Sequence, residues 1–390
     1  MTKKETGINT LCTHAGELED KEFGGAVSPL YMATSYAFED VEVKRYPRYF
    51  NTPNQQALAK KMAMLEHGED ALIFGSGMAA VSTSLMAFAQ KGDHVVFQKT
   101  LYGGTSNLVV EEFEKFGIEY SFTEDNSVES FRKQIKSNTK VIYIETPSNP
   151  LLTITDVAGI AELAKERELV SMIDNTFASP VNQNPIDSGI DVVIHSATKY
   201  MGGHSDILAG AVIASKEHIN RVFQMAKNFG GSLSDYTVWL LERSIKTMGI
   251  RVKTQNENAQ RVAEWLEKNE AVAKVYYPGL SSHPDYKLAK KQMKGFGGML
   301  SFELKEMDSS TFMKELKLIK PSMSLAGVES TILSPTKTSH ALLTAEEREA
   351  QGISDGLLRF SVGIEEVEDI IADLEQALEE TKKDMLDIRI

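Results

Sequence analysis

Four short stretches of the chain carry side chains suited to chemistry. The longest, DVVIHSATKYMGGHSDILAG at residues 191–210, reads as an apolar strand that ends and is followed by Ser196, Thr198, Lys199 and two glycines. ALIFGSGMAA places Gly75, Ser76, Gly77 and Met78 between a strand and a helix, where backbone N–H groups face an anion. VIYIETPSNP ends in Glu145 and Asn149, and LVSMIDNTF ends in Asp174. In an open α/β sheet, ligands gather beyond the carboxyl ends of the strands. A phosphate cradle, a carboxylate and a lysine are therefore expected on one rim.

Each feature also has a purely structural reading. Gly75 and Gly77 can serve a tight strand-to-helix turn, Asp174 can cap a helix, and an arbitrary lysine is most often a solvated surface charge. Lys199 resists that reading because it stands among small residues at a strand end, where packing does not call for a long cation. GSGMAA also satisfies the G-x-G-x-x-A turn of a dinucleotide site. That turn requires an acidic residue at the end of the next strand, where this chain has Gln98 and Lys99. A nicotinamide-dependent dehydrogenase therefore fits poorly. Pyridoxal 5'-phosphate (PLP) fits better. An amine forms a Schiff base with its aldehyde, a carboxylate keeps its pyridine nitrogen protonated, and backbone amides hold its phosphate.

The elements that must position these groups alternate along the chain. DALIFGSG, HVVFQK, IEYSFTE, KVIYIETP, LVSMIDN and DVVIHSA read as strands, separated by helix-like segments such as 78–90 and 155–167. Their continuous apolar character predicts a mostly parallel sheet covered on both faces. Residues 1–50 read as an irregular arm, 51–245 as the cofactor-binding domain, and 246–390 as a smaller α/β C-terminal domain with strands in GGMLSFEL and LLRFSVGIE. The last helix gathers Val367, Ile370, Ile371, Leu374 and Leu378 on one face. A length of 390 residues suits two domains. A net charge of -13 argues against nucleic acid or an anionic membrane surface as the main partner. Neither a signal sequence nor a long apolar span is evident, so a cytoplasmic location is expected. The single cysteine, Cys12, reads as a structural or surface thiol and permits no internal disulfide. The eight histidines lack zinc-site spacing, so no metal is expected.

SATKYMGGHSD, ETPSNP, DNTFASP, SGMAA, LYGGT and LRFSVGIE, in this chain's order, resemble the Cys/Met-metabolism, or trans-sulfuration, branch of the fold-type I PLP enzymes. The resemblance runs from about residue 8 to the last helix. It implies a mostly parallel seven-stranded sheet domain plus a smaller α/β domain. It makes Lys199 the Schiff-base lysine and Asp174 the partner of the pyridine nitrogen. Gly77 and Met78 would bind phosphate through their backbone, with hydroxyls from Ser196 and Thr198. Tyr102 would stack on the cofactor ring and handle a proton. Arg359 would grip the substrate carboxylate in a bidentate way, with Ser324 and Asn149 beside it. Tyr46 and Arg48 would reach the phosphate of a neighbouring subunit, which implies at least a dimer, commonly a homotetramer.

The reaction implied is that of a carbon–sulfur lyase on a small sulfur amino acid. Gamma-elimination on cystathionine or on methionine or homocysteine would yield α-ketobutyrate, ammonia and a thiol. Cystathionine gamma-synthase and cystathionine beta-lyase activities are the alternatives. A non-catalytic PLP-binding protein would be expected to lack Lys199, Tyr102 or Arg359, and all three are present. Two positions give opposing indications on substrate. Gly104 matches the cystathionine enzymes, whereas Met323 stands where many of them carry a glutamate. The YPRYFNTP segment departs from the family pattern by Pro47 and by Asn-Thr-Pro at 51–53, which bears on the substrate entrance and the contact between subunits.

Overall fold

The structure, a computed structural model, describes residues 6–338, 344, 346, 348 and 352–387. The chain separates into two compact units. The first comprises Met1–Lys99, Gly104–Glu145 and Thr155–Ile250, and the second Thr100–Gly103, Thr146–Ile154 and Arg251–Ile390.

Seven strands build the sheet of the first unit: β1 (Asp70–Phe74), β2 (His94–Phe97), β3 (Glu119–Phe122), β4 (Thr139–Glu145), β5 (Val170–Asp174), β6 (Val192–His195) and β7 (Gly210–Ala214). Their order is β1-β7-β6-β5-β4-β2-β3. Strand β7 runs antiparallel to both neighbours, and the other pairings are parallel. Two successive reversals bring β1 back into the direction of β6, so β1, β4, β5 and β6 all end at the same rim. The register fixes their relative heights, with Glu145 opposite Asp174, Asp174 opposite Ile194, and Phe74 opposite Gly210.

Burial follows from this topology. The residues of β2, β6 and β7 are buried throughout, as sheet covered on both faces requires, and each fully buried large apolar side chain contributes about 1.5–3 kcal/mol. The edge strand β3 departs from the continuous burial read in the sequence and is only partly covered. The helical segments appear as Gly77–Phe88 and Val157–Glu166. Strand β7 was absent from the sequence reading because GAVIA follows the glycine-rich loop with no intervening helix to set it off. Cys12 is fully buried in the short helix Ile8–His14, and its carbonyl accepts the Lys61 Nζ at 2.9 Å.

The second unit holds a five-stranded sheet of β8 (Val272–Tyr276), β9 (Met299–Leu304), β10 (Lys320–Pro321), β11 (Thr331–Leu333) and β12 (Leu357–Ser361), in the order β10-β11-β12-β9-β8. Of these, β9 and β12 carry the strand pattern read in the sequence. Strand β8 is partly exposed, and β10 and β11 are very short. Leu300, Phe302, Phe360, Ile370 and Leu374 are all fully buried in this unit's core. Of the five apolar positions read on the terminal helix Val367–Asp387, four are buried in this core and Ile371 packs only partly. Among the described residues, no helix is long and apolar enough to cross a membrane, and no group of three or more His, Cys, Asp or Glu could hold a metal ion.

Candidate active site

At the end of β1 the chain turns directly into the helix Gly77–Phe88. The Ser76 side chain caps it, accepting the Ala79 N–H at 3.0 Å, while the Ala80 N–H closes onto the Ser76 carbonyl. The N–H groups of Gly77 and Met78 belong to the first turn, where no intrahelical carbonyl can reach them. A Cβ on Gly77 would lie 2.7 Å from the Ser196 Cβ and 2.9 Å from its Oγ. The backbone here is pressed against the segment that carries Ser196, leaving a cradle that a side chain would fill. Gly210, at the start of β7, is tighter still, since its Cβ would stand 2.1 Å from the Ser76 carbonyl oxygen.

Lys199 sits in the turn after β6. Its N–H donates to the Ser196 carbonyl at 3.1 Å, and its carbonyl accepts the Gly203 N–H at 2.7 Å. Gly203 takes a left-handed φ of 68° there. The Thr198 hydroxyl donates to the Ala209 carbonyl at 3.1 Å and accepts the Ala209 N–H at 3.0 Å. A hydroxyl has one proton to give, so Thr198 braces the lysine loop, and of the two hydroxyls Ser196 is the better placed to donate to an anion.

Asp174 ends β5 and is buried. Its carboxylate accepts the Thr176 N–H at 3.0 Å. Burial pushes the Asp174 carboxyl above its ordinary range, while the Thr176 hydroxyl and N–H and the charge of His195 pull it back. Thr176 escaped the sequence reading, although it has two tasks. Its N–H donates to Asp174 and its hydroxyl accepts the Ser196 N–H at 2.8 Å. One residue thus links the carboxylate to the segment that carries Ser196.

Tyr46 and Arg48 lie in a built turn. Asn51 Oδ1 accepts the Tyr46 N–H at 2.8 Å, and Asn51 Nδ2 donates to the Lys44 carbonyl at 2.9 Å. Thr52 then forms a capping box with Gln55, and Pro53 begins the helix Pro53–Glu66. The unusual YPRYFNTP segment is therefore a helix entrance, with Phe50 in the left-handed region at φ 55°. The Arg48 guanidinium stacks 5.6 Å from the Tyr46 ring centre and 5.1 Å from that of Tyr49, and it donates to the Lys227 carbonyl.

The remaining candidates belong to the second unit. Tyr102 is 46% exposed. Arg359, on β12, is buried, with Nη1 donating to Asn149 Oδ1 at 3.0 Å and Nη2 to the Ser324 carbonyl at 3.1 Å. Ser324 is held at φ 85°, an uncommon conformation for a residue with a side chain. The carbonyl of Ser324 meets the guanidinium. Asn149 and Ser324 thus both orient Arg359 within this unit.

A helix N-terminus closed to side chains, a hydroxyl beside it, a buried carboxylate and a lysine on one rim match the donor set of a phosphorylated pyridine aldehyde. Both the sheet and this rim define a fold-type I PLP-dependent enzyme, and comparison with known proteins gives the family. The chain belongs to the Cys/Met metabolism PLP-dependent enzyme family, which it matches over residues 9–379. It is 42% identical to cystathionine gamma-lyase of Bacillus subtilis over 95% of this chain and 98% of that protein. It is 41% identical to cystathionine beta-lyase of Lactococcus lactis subsp. cremoris, over 96% and 99% of the two chains. It is likewise 41% identical to L-methionine gamma-lyase of Fusobacterium nucleatum, over 97% and 100%. The crystal structure of cystathionine gamma-lyase from Lactobacillus plantarum complexed with L-serine superposes with a TM-score of 0.93 at 38% identity, covering 97% of this chain and all of that one.

Proposed function

We propose that this chain is a PLP-dependent carbon–sulfur lyase that eliminates a thiol from the γ-carbon of cystathionine, or of methionine or homocysteine, leaving α-ketobutyrate and ammonia. The observation that carries the reading is the rim of the first unit, where Lys199, Asp174 and the Gly77 cradle meet the cofactor's three requirements. When bound, the cofactor supplies an electron sink for the substrate's α-carbon.

The chain's own residues do the rest. Gly77 and Met78 N–H groups and the Ser196 hydroxyl hold the phosphate, and Asp174 holds the proton on the ring nitrogen. Arg359 fixes the substrate carboxylate by a bidentate pair, its fork preset by Asn149 and Ser324. Lys199 removes the α-proton once its amine is free, and Tyr102 hands a proton to the leaving sulfur. Tyr46 and Arg48 serve the phosphate of a neighbouring subunit, in a cytoplasmic homotetramer of two active dimers. The exposed apolar side chains of the arm, among them Phe23, Met32 and Phe38, fit such an assembly.

Beta-elimination is the second reading, favoured by the 41% identity to a cystathionine beta-lyase. Met323, 70% exposed and next to Ser324, offers a neutral surface and no carboxylate for a distal amine. The deciding experiment incubates the PLP-loaded protein with L-cystathionine and identifies the products. α-Ketobutyrate with cysteine supports γ-cleavage, whereas pyruvate with homocysteine sinks it in favour of the β-lyase reading.

A further inference from the structure

The two segments that aim Arg359 are themselves held by two serines on the arginine's own face of the second sheet. Arg359 lies opposite Ser301 of β9, and Ser361 stands two positions further along β12. Residues opposite one another in an antiparallel pair, and residues two apart on one strand, project to the same face. Both serines are buried. The Ser301 hydroxyl donates to the Pro150 carbonyl at 2.7 Å. Pro150 follows Asn149, whose Oδ1 receives Nη1 of Arg359. The Ser361 hydroxyl accepts the Ala326 N–H at 2.7 Å. Ala326 comes two residues after Ser324, whose carbonyl receives Nη2.

The second segment has particular need of support. Ser324 at φ 85° and Ala326 at φ 63° both occupy the left-handed region, which is unfavourable for a residue with a side chain and persists where tertiary contacts impose it. The Ser322 N–H donates to the Ile332 carbonyl at 3.1 Å, and Gln255 Nε2 donates to the Gly327 carbonyl at 2.9 Å, so the segment is fixed at both ends. Between those ends, Ser361 takes a backbone N–H from within the turn. A buried serine beside a backbone polar group often does no more than satisfy it. Here two of them share a face with one arginine, and each grips the segment that supplies one of its two partners.

We infer that Ser301 and Ser361 are positioning residues for the substrate carboxylate. Ser301 sets the Nη1 arm of Arg359 through Asn149, and Ser361 sets the Nη2 arm through Ser324. Neither hydroxyl is required to touch substrate. The inference rests on the reading of Arg359 as the carboxylate-binding group.

The test compares glycine with methylamine, which differ by the carboxylate, as ligands of the PLP-loaded enzyme. Titration followed by the cofactor's visible absorbance gives a dissociation constant for each, and their ratio reads the grip on the carboxylate. Ser301→Ala and Ser361→Ala are each expected to lower the preference for glycine by about two- to tenfold, the range of one lost hydrogen bond. They should also raise KM for L-cystathionine more than they change kcat. In an Arg359→Lys background, which lacks the fork, either serine change should have little further effect on the ratio. Full additivity there would mean that the serines act elsewhere and would overturn the inference. Arg359→Lys alone is the reference. If it leaves the preference unaltered, Arg359 does not bind the carboxylate and the reading of the site fails. If it lowers the preference while the serine variants do not, the positioning role alone is refuted, and a fall in their urea midpoint would then assign the hydroxyls to stability. Ser301→Cys and Ser361→Cys, of similar size and with a weakly hydrogen-bonding thiol, serve where an alanine variant does not accumulate. They should shift the preference in the same direction, and an unaltered preference in both refutes the inference equally.

Discussion

Arg359 shows how much of a residue's role depends on what holds it. A guanidinium in water recognises a carboxylate weakly because both ions must be desolvated, whereas Arg359 is already buried and its fork is already aimed by Asn149 and Ser324. Arg359→Lys keeps the charge and loses the fork. Its kcat/KM is expected to fall by about 100-fold or more, roughly 3 kcal/mol, chiefly through KM, as steady-state kinetics on L-cystathionine would show. Asn149→Ala, which leaves the arginine but frees one arm, should cost about tenfold in the same parameter. Lys199→Ala is expected to abolish turnover and the visible absorbance of the lysine-bound cofactor. Retention of the native rate by that variant would remove the Schiff-base assignment.

The elements impose a different kind of constraint, because backbones approach one another where the site needs room. At Gly77 the obstacle to a Cβ is the Cβ and Cα of Ser196, and at Gly210 it is the backbone carbonyl of Ser76. Neither obstacle can swing aside, because a Cβ moves only with its backbone. Gly77→Ala should therefore push Ser196 away and bind PLP about tenfold or more weakly by equilibrium titration, while Gly210→Ala should lower the melting temperature by parting β1 from β7, at about 1–3 kcal/mol or more. Strand β2 contributes a pH dependence of its own. His94 is buried, with Nδ1 2.8 Å from the Thr139 hydroxyl and Nε2 2.9 Å from that of Ser121. Burial, aided by Lys136, lowers its pKa from 6.5 to about 4. Above pH 6.5 it is neutral whether folded or unfolded and adds no pH dependence. Between pH 6.5 and 4 the unfolded chain takes up a proton that the folded chain refuses, so stability falls as pH falls, by at most about 1.4 kcal/mol per unit. Below about pH 4 both states are protonated and this contribution stops changing. Urea unfolding at a series of pH values should show that slope, flattened in His94→Gln.

For the whole molecule the arm bears on assembly. The arm of residues 1–50 exposes Phe23 at 87% and Phe38 at 67%, among other apolar side chains. Such exposure is a cost in a monomer and a contact surface in an oligomer. Analytical ultracentrifugation is expected to find an oligomer at micromolar concentration. Arg48→Ala should leave that assembly in place and loosen PLP. A monomer that retains full activity would contradict the proposed role of the arm.

The sequence alone specified what depends on local order. Lys199, Asp174, Ser196 and Gly77 each stand at or just past the end of a strand that is short, apolar and bounded by turn residues, so their place at strand ends could be read from single stretches. It also specified the terminal helix face, because helical periodicity is a local signal. Tertiary structure decided the rest. Strand β7 acquires its identity by pairing antiparallel between β1 and β6, and β8, β10 and β11 acquire theirs from their neighbours, since each is too short or too exposed to announce itself. The bond from Ser301 to the Pro150 carbonyl joins residues 151 positions apart in the chain, and Thr176 gains its function only when β5 and β6 lie side by side. Proximity of this sort carries no signature in composition or period, because it is created by the register of the sheet rather than by the residues that it brings together.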